Sequence, residues 1–328
     1  MLPGSPMRFV FVMDPVDIVL VDEDTSFALM LEAQSRGHRV DHCLPRDLFL
    51  DRGELFARAR PATMRRDKHG PIALGDTEDV PLGSVDAILV RKDPPFDDVY
   101  LWTTLLLERV RGRTFTLNDP RGLRDANEKL YTCGFRELMP DTLVSNDKVR
   151  IKEFVSRVGG RAVIKPLDGA GGAGVMQLVA GDLNINAIIE GATYYGRRIA
   201  MVQAFIPEVK QGDKRILLLE GEPLGAILRV PRADELRSNI HVGGTVEHTT
   251  LDDRDHAIVS ALRPHLVRDG LWFVGLDVIG GKLTEINVTS PTGIQQMERL
   301  GGEKLSARVI EWIERRASAI KRGSMEPS

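Results

Sequence analysis

Residues 272–291, WFVGLDVIGGKLTEINVTSP, place three polar side chains within two apolar runs that are joined by a pair of glycines. The runs have the length and composition of β-strands, and Gly280 and Gly281 predict the turn of a hairpin. Asp277, Glu285 and Asn287 interrupt the runs. A carboxylate in an apolar sheet is costly to ionise unless a cation or other partner lies beside it. Oxygen ligands of this kind suit Mg²⁺, whereas the alternative is two acids at the wet rim of an ordinary hairpin.

The hairpin register decides whether the three side chains meet. Side chains alternate along a strand, so Glu285 and Asn287 share a face. A two-residue turn without irregularity would put Asp277 on the opposite face, whereas a three-residue turn that includes Lys282 sets Asp277 directly across from Glu285. Two like charges in that position are unfavourable unless a cation lies between them. We therefore predict an odd-length or bulged turn.

Composition excludes several classes of partner. The chain has 328 residues, enough for two or three domains, and 44 Lys and Arg stand against 47 Asp and Glu, a formal charge of −3. This balance provides no basic surface for nucleic acid or an anionic membrane. No apolar run approaches the ~18 residues of a membrane span, and the N-terminus lacks the pattern of a secretory leader. We expect a soluble, cytoplasmic protein.

The first third of the chain alternates strand-like and helix-like patterns, which is typical of an open parallel α/β sheet. Ligands of such sheets usually lie beyond the carboxyl ends of the strands. Arg91 follows the strand predicted at residues 87–90, so its turn is either an anion site or a solvated loop. Residues 51–84 have weak periodicity and are interpreted as an irregular insertion or loose hairpin. The segment RDANEKLYTCGF, which contains Lys129, is helix-like. The second half, in which predicted strands outnumber the helices expected at 148–158, 184–190, 254–268 and 304–318, is expected to be α+β.

A glycine-rich segment at residues 169–174, GAGGAG, follows a strand-like run that contains Lys165. It matches a dinucleotide-binding template, but the residues after Gly174 are β-like and do not open a helix. A strand, a glycine loop and a second strand form a flap whose backbone N–H groups can approach phosphate oxygens. The alternative is a hairpin tip without a ligand. Lys165, in an otherwise apolar strand, either extends to solvent or finds an anion.

Three arginines recur beside predicted strands, and they are Arg215, Arg229 and Arg237. The planar guanidinium donates two parallel hydrogen bonds to a carboxylate or phosphate, so these residues are candidate anion contacts. Residues 230–245 form a long polar stretch whose composition suits a lid that closes over a substrate.

Together these features resemble the ATP-grasp ligases and, more narrowly, the family of prokaryotic-type glutathione synthetases. The resemblance extends from about residue 8 to 315, and the motifs that carry it are FVMDP, DTSFALMLEAQSRG, RKDPPFD, LRDANEKL, IKPLDGAGGAGV, GDKRILLLEGEP and VGLDVIGGKLTEINVTSPTGI. It implies an α/β and α+β ATP-grasp fold in three parts. These are an N-terminal open parallel α/β domain (1–120), a small domain with the glycine flap (121–205) and a C-terminal domain with the metal hairpin (206–328).

The resemblance also implies a role for each candidate residue. Asp277, Glu285 and Asn287 match Mg²⁺ ligands, with Mn²⁺ as an alternative ion. The residues expected to bind ATP are Lys129, Lys165, Gly169, Gly171, Gly172, Gln203, Ala204, Phe205, Ile206 and Asp213. Arg215, Arg229 and Arg237 are expected to act in catalysis. Arg91, Ser290 and Thr292 are expected to contact the dipeptide substrate.

The implied reaction is the ATP-dependent joining of γ-glutamylcysteine to glycine through an acyl phosphate, which releases ADP and phosphate. Such a reaction needs positioning and charge stabilisation rather than a nucleophilic side chain. A homo-oligomer is expected by family analogy. The alternatives are another carboxylate–amine ligase of the same superfamily with a different acceptor, and a nucleotide-binding regulator without turnover.

Overall fold

The computed structural model describes residues 5–232 and 244–323 and arranges them in three β-sheets. The strands of the first sheet are β1 (Arg8–Met13), β2 (Arg39–Cys43), β3 (Leu48–Asp51), β4 (Glu54–Met64), β5 (Ile72–Leu74), β6 (Glu78–Pro81), β7 (Ala87–Arg91) and β8 (Phe115–Leu117). Its helices are α1 (Thr25–Ser35), α2 (Asp98–Leu107) and α3 (Pro120–Asp125). The parallel strands lie in the order β2-β1-β7-β8, so the predicted open α/β sheet is confirmed.

Residues 51–84 are not an irregular insertion, because most of them form strands β4, β5 and β6. β4 pairs antiparallel with β5 and β6, so the alternative interpretation, a hairpin, is closer to the structure. In β4, Leu55, Ala57 and Ala59 are fully buried, while Arg58 and Arg60 point outward. The inward side chains are mostly alanines, so the alternation produces little contrast in hydrophobicity along the sequence. The sequence pattern therefore does not reveal β4, because the residues on its buried face are small.

The second sheet is antiparallel, in the order β11-β10-β12-β9. Its strands are β9 (Thr142–Ser145), β10 (Arg161–Pro166), β11 (Met176–Val179) and β12 (Ala200–Ala204), and its helices are α4 (Lys148–Arg157) and α5 (Ile185–Ala192). The helices share a core with the sheet in which Phe154, Ile164 and Ile189 are almost wholly buried. The glycine segment connects β10 to β11, as the predicted flap requires.

The third sheet is also antiparallel, in the order β15-β14-β13-β16-β17. Its strands are β13 (Asp213–Leu219), β14 (Glu222–Val230), β15 (Thr245–His248), β16 (Phe273–Ile279) and β17 (Lys282–Asn287), and its helices are α6 (Asp253–Arg268), α7 (Ile294–Gly301) and α8 (Leu305–Lys321). Helix α8 returns to the first sheet and packs against α1, where Arg36 Nε lies 2.7 Å from Glu314 Oε1. None of the helices in the described ranges has the length and apolar character that crossing a membrane requires.

The first and third sheets meet at Asn118, which follows β8. Its amide nitrogen donates to the carbonyls of Phe273 and Val288, both at 2.9 Å, and its amide oxygen accepts from the N–H of Phe273 at 2.7 Å. Asn118 is buried, so a single side chain connects β8 to β16 and to the residue after β17.

The sequence pattern predicts a helix around Lys129, but the structure places this residue in a turn between α3 and a 3-10 helix at Tyr131–Leu138. Asn127 accounts for the difference. Its side-chain oxygen accepts from the N–H groups of Lys129 (3.1 Å) and Leu130 (3.0 Å). An asparagine that bonds nearby backbone N–H groups competes with helical hydrogen bonding.

Candidate active site

The β16–β17 hairpin has the register that the sequence predicts. Gly280 (φ 57°) and Gly281 (φ 73°) form a two-residue turn, so the three-residue alternative is not used. A β-bulge then shifts the register between Val278 and Asp277, and Asp277 pairs directly with Glu285. Thr284 is the extra residue of the bulge, and its hydroxyl donates to the carbonyl of Asp277 at 3.1 Å. The bulged hairpin is therefore confirmed.

Asp277 is buried between two arginines from neighbouring strands. Arg215, its partner on β13, donates from Nε to Oδ1 at 2.5 Å and from Nη2 to Oδ2 at 3.0 Å. Arg229 on β14 places Nη2 2.9 Å from Oδ1 and also pairs with Asp213. Burial disfavours ionisation, yet the charges of Arg215 and Arg229 outweigh it and hold the pKa of Asp277 well below its ordinary value.

Gly275, two residues before Asp277, makes room for this arrangement. A Cβ atom there would lie 3.2 Å from Cδ of Arg215 and 3.2 Å from Cβ of Pro291. The missing side chain therefore lets the Arg215 guanidinium pass along β16 to reach Asp277. The sequence marks this residue only as a glycine inside a strand, which signals a close approach without naming the partner.

Two lysines bring ammonium groups to the cavity beside the flap and the hairpin. Lys129 Nζ donates to Glu285 Oε1 at 2.8 Å and to the carbonyl of Gly169 at 2.6 Å. Lys165 Nζ donates to Gln203 Oε1 at 2.7 Å. Burial lowers the pKa of Lys165, although the charge of Glu285 opposes that shift. These ammonium groups are positioned to receive an anion.

The lysines, flap and hairpin line one cavity between the second and third sheets. The predicted residues that line it are Lys129, Lys165, Gly169, Gly171, Gly172, Gln203, Ala204, Phe205, Ile206, Asp213, Arg215, Asp277, Glu285 and Asn287. The cavity is also lined by the apolar residues Val163, Met176, Val209 and Ile279. Nothing in the sequence marks them as site residues, because they lie in ordinary strand or loop patterns. An apolar slot beside buried cations suits a ligand with a planar, uncharged part and an anionic part.

The flap is packed tightly on the strand that precedes it. A Cβ atom on Gly169 would lie 2.8 Å from Cγ of Pro166 and 2.9 Å from the carbonyl oxygen of Ala173. Gly174 has φ +71°, and a Cβ there would lie 2.9 Å from the same Cγ. Glycine is required at both positions for the loop to close over Pro166.

The predicted dipeptide contacts lie outside this cavity. Arg91 is buried at the end of β7, donating to Ser26 Oγ and the Pro291 carbonyl, both at 2.9 Å, and burial lowers its pKa. Ser290 is half-buried, and the exposed Thr292 accepts at its carbonyl from Arg215 Nη1 at 3.2 Å. Thr292 thus contacts Arg215, the partner of Asp277. Residues 233–243 of the predicted lid, which include Arg237, lie outside the described residues.

The donor set of the hairpin fits a magnesium ion completed by a nucleotide. Asp277, Glu285 and Asn287 lie on one face, and Asn287 Nδ2 is 3.2 Å from Asp277 Oδ2. Within residues 5–232 and 244–323, no group of three or more His, Cys, Asp or Glu side chains is arranged to hold a metal ion. Two carboxylates with an amide are nevertheless sufficient when phosphate oxygens and water supply the other ligands, as is usual for Mg²⁺.

Two family models match this chain. The model of the prokaryotic glutathione synthetase N-terminal domain matches residues 7–124, and that of the prokaryotic glutathione synthetase ATP-grasp domain matches residues 128–302. The chain belongs to the prokaryotic glutathione synthetase family. Among relatives of this family, the glutathione synthetase of Gloeobacter violaceus is 46% identical over 313 residues, which cover 94% of this chain and 96% of that protein. The glutathione synthetase of Synechocystis sp. is 42% identical over 319 residues, which cover 94% and 99% respectively.

Solved structures show the ATP-grasp fold that glutathione synthetases share with other ligases. D-cycloserine synthetase DcsG superposes with a TM-score of 0.63 at 15% identity, covering 93% of this chain and 99% of its own. The ATP-grasp ligase PsnB, in complex with a variant of its minimal precursor, Mg and ADP, gives 0.63 at 16% identity, with coverages of 94% and 98%. The predicted fold class is thus confirmed.

Proposed function

We propose that this chain joins γ-glutamylcysteine to glycine with ATP as co-substrate, yielding glutathione, ADP and phosphate. One observation carries the proposal. In a member of the glutathione synthetase family, a glycine flap and two lysines face a hairpin with two carboxylates across a single cavity. Each part has a use in phosphoryl transfer, which depends on positioning and charge stabilisation.

The chain's own residues provide the binding and orientation. Lys129 and Lys165 neutralise the ATP phosphates, and the backbone of residues 169–174 covers them. Residues Gln203 to Ile206 and Asp213 bind the adenine and ribose. Mg²⁺, or Mn²⁺ in its place, would be held by Asp277, Glu285 and Asn287 and would supply further neutralisation of the phosphate charge.

Arg215 and Arg229 hold the acidic cluster and orient the substrate carboxylate, and Arg91, Ser290 and Thr292 bind the dipeptide. A carboxylate oxygen of the dipeptide attacks the γ-phosphorus, the bond to the bridging oxygen breaks, and ADP leaves. The glycine amine then attacks the acyl carbon and displaces phosphate, which takes up the proton that the amine loses. Because a hydrolysed acyl phosphate wastes ATP, the cavity has to exclude water during these steps.

The remaining features of the proposal follow from the same family analogy. We assign residues 1–120 to a substrate-binding domain, 121–205 to the flap domain and 206–328 to the catalytic domain, with a lid at 230–245 to which Arg237 belongs. A cytoplasmic homo-oligomer without nucleic-acid or membrane partners is the expected form of the protein.

The test is ADP release by the purified chain with γ-glutamylcysteine, glycine, ATP and Mg²⁺. Release that requires both amino-acid substrates and stops when Mg²⁺ is chelated supports the proposal. Release with a different acid and amine pair would instead identify another carboxylate–amine ligase. ATP binding without release for any pair would identify a regulator, and either outcome would overturn the proposed reaction.

A further inference from the structure

Three consecutive residues, Asn127, Glu128 and Lys129, bind both walls of the cavity. They occupy the turn between the first and second sheets, and their side chains reach the glycine flap on one side and the end of β17 on the other. Only Lys129 has a role in the proposed reaction. The contacts of the other two indicate why its ammonium lies where it does.

Asn127 holds the flap side of the turn. Its Nδ2 donates to the carbonyl of Leu167 at 3.1 Å, two residues before Gly169, whose carbonyl accepts from Lys129. Its Oδ1 accepts from the backbone of Lys129 at 3.1 Å. One side chain therefore fixes both the foot of the flap and the backbone that carries the lysine.

Glu128 holds the hairpin side. Its Oε1 accepts three hydrogen bonds, from the N–H groups of Val288 (3.0 Å) and Thr289 (3.2 Å) and from the Thr289 hydroxyl (2.9 Å). Its own carbonyl accepts from the N–H of Ile286 at 3.0 Å. Four hydrogen bonds thus converge on this residue, and three of them reach a single side-chain oxygen.

These contacts fix the backbone that carries the Lys129 side chain. A lysine side chain has four rotatable bonds and gives little orientation by itself, so its backbone has to be fixed for Nζ to reach Glu285 and Gly169 together. Glu128 bonds to residues 286, 288 and 289, which flank Asn287 and follow Glu285 by one to four positions. It thereby sets the separation between the lysine and the carboxylate hairpin.

We propose that Glu128 is a positioning residue that fixes Lys129 against the β17 carboxylate and the flap, with Asn127 as its counterpart on the flap side. The inference rests on the proposed function, since it assigns Lys129 to the nucleotide phosphates. Glu128 acts through hydrogen bonds rather than through its charge, so an isosteric amide should serve nearly as well.

The experiment compares Glu128→Ala and Glu128→Gln for steady-state kinetics, for ADP affinity by calorimetry in the presence of Mg²⁺, and for thermal unfolding. Glu128→Ala should lower kcat/KM for ATP and ADP affinity by about tenfold or more, because a displacement of about 1 Å in a catalytic group has effects of this size. The KM for γ-glutamylcysteine should stay within about twofold. Glu128→Gln should stay within about threefold of the original chain in every measurement.

Two further variants separate positioning from general stability. Ile313→Ala, in the core of α8 and far from the turn, should lower the unfolding temperature without changing ADP affinity. Thr289→Val, which removes one of the three donors to Glu128, should have an intermediate effect on ADP affinity. Unchanged ADP affinity in Glu128→Ala, or an equal loss in Glu128→Gln, would overturn the inference. ADP affinity is measured without turnover, so it tests Glu128 even if the proposed reaction fails.

Discussion

At the scale of single residues, the buried charge of Asp277 is balanced by ion pairs with two arginines. Asp277 is nearly inaccessible to solvent, yet it stays ionised because two guanidinium groups contact it. Removing one partner of such a pair leaves an uncompensated buried charge, which costs more than the pair itself contributes. The site therefore depends on the shape of its cations as well as on their number.

Arg215→Lys tests this dependence on shape. A lysine ammonium cannot donate two parallel bonds to Asp277 while also reaching the Thr292 carbonyl. We expect kcat/KM to fall by at least about tenfold, which corresponds to roughly 1.4 kcal/mol of transition-state stabilisation. Steady-state assays measure the loss. The same exchange at Arg315, an exposed residue paired with Glu311 on α8, should leave kinetics unchanged.

Residue-level prediction from the sequence succeeded where a polar side chain interrupts an apolar strand. Alternation alone put Glu285 and Asn287 on one face, and the expectation that a cation lies between Asp277 and Glu285 then called for the bulge that brings Asp277 to them. Gly275 and Glu128 were missed for a different reason. Gly275 makes room for Arg215 and Glu128 binds Val288, and only the assembled sheets bring these distant residues together.

The glycine flap can be tested at the scale of elements. Gly169→Ala places a methyl group against Pro166 and the Ala173 carbonyl, so the loop has to move away from the strand beneath it. We expect KM for ATP to rise roughly tenfold while the unfolding temperature changes little, because the flap contributes few buried contacts. Kinetics with varied ATP, together with thermal unfolding, give both values.

Gly191→Ala is the matched control, because it lies in helix α5 of the same sheet with open space around the new methyl group. Alanine should stabilise that helix by about 0.5–1 kcal/mol without changing KM. Equal KM values for Gly169→Ala and the original chain would contradict the proposed role of the flap.

Strand β2 carries a pH-sensitive group. Burial lowers the pKa of His42, although its hydrogen bond to the Asp14 carbonyl (3.1 Å) opposes the shift. At the same pH, His42 therefore binds a proton more readily in the unfolded chain than in the folded chain. His42 favours folding fully above its ordinary pKa of about 6.5, and the free energy of unfolding falls as the pH drops below that value toward the folded pKa.

Urea unfolding between pH 5.5 and 7.5 should show this loss, with a slope from His42 of at most about 1.4 kcal/mol per pH unit. His42→Gln should reduce the slope, because the amide does not titrate. Parallel profiles for the two proteins would show that His42 does not cause the dependence.

Helices and strands could be predicted where apolar and polar side chains contrast clearly along the sequence. Helices α4, α5, α6 and α8 were expected close to their observed positions, since their apolar periodicity is clear. The helix expected around Lys129 was wrong because Asn127 satisfies the local N–H groups, and β4 was missed because alanine fills its buried face.

Asn118 connects the first and third sheets at the scale of the whole molecule. Asn118→Ala removes three buried hydrogen bonds and leaves backbone groups of Phe273 and Val288 without that partner. At about 1 kcal/mol for each bond, we expect the free energy of unfolding to fall by roughly 3 kcal/mol. Urea denaturation measures the change.

Asn146→Ala provides the comparison, because its side chain also donates to a backbone carbonyl, that of Gly196, but at an exposed position. There water replaces the lost bond, so the change should stay below about 1 kcal/mol. Equal losses for the two variants would mean that Asn118 contributes no more than a surface contact.

Whole-molecule arrangement was the part least accessible from the sequence. The family resemblance supplied the ATP-grasp fold, and the comparisons confirm it. Nothing in the pattern of residues 305–321 indicates that their helix covers α1, because an amphipathic helix specifies an apolar face without specifying what covers it. The ion pair between Arg36 and Glu314 depends on that docking.

The docking of α8 has a consequence for biosynthesis. The first sheet and α1 are synthesised well before α8, the helix that packs on them. Apolar side chains such as Phe27 and Leu29 share a core with Val309 and Ile313, so part of that surface stays open until α8 has been synthesised. A nascent chain truncated before residue 305 would present this surface to chaperones and to other chains, and aggregation should increase accordingly.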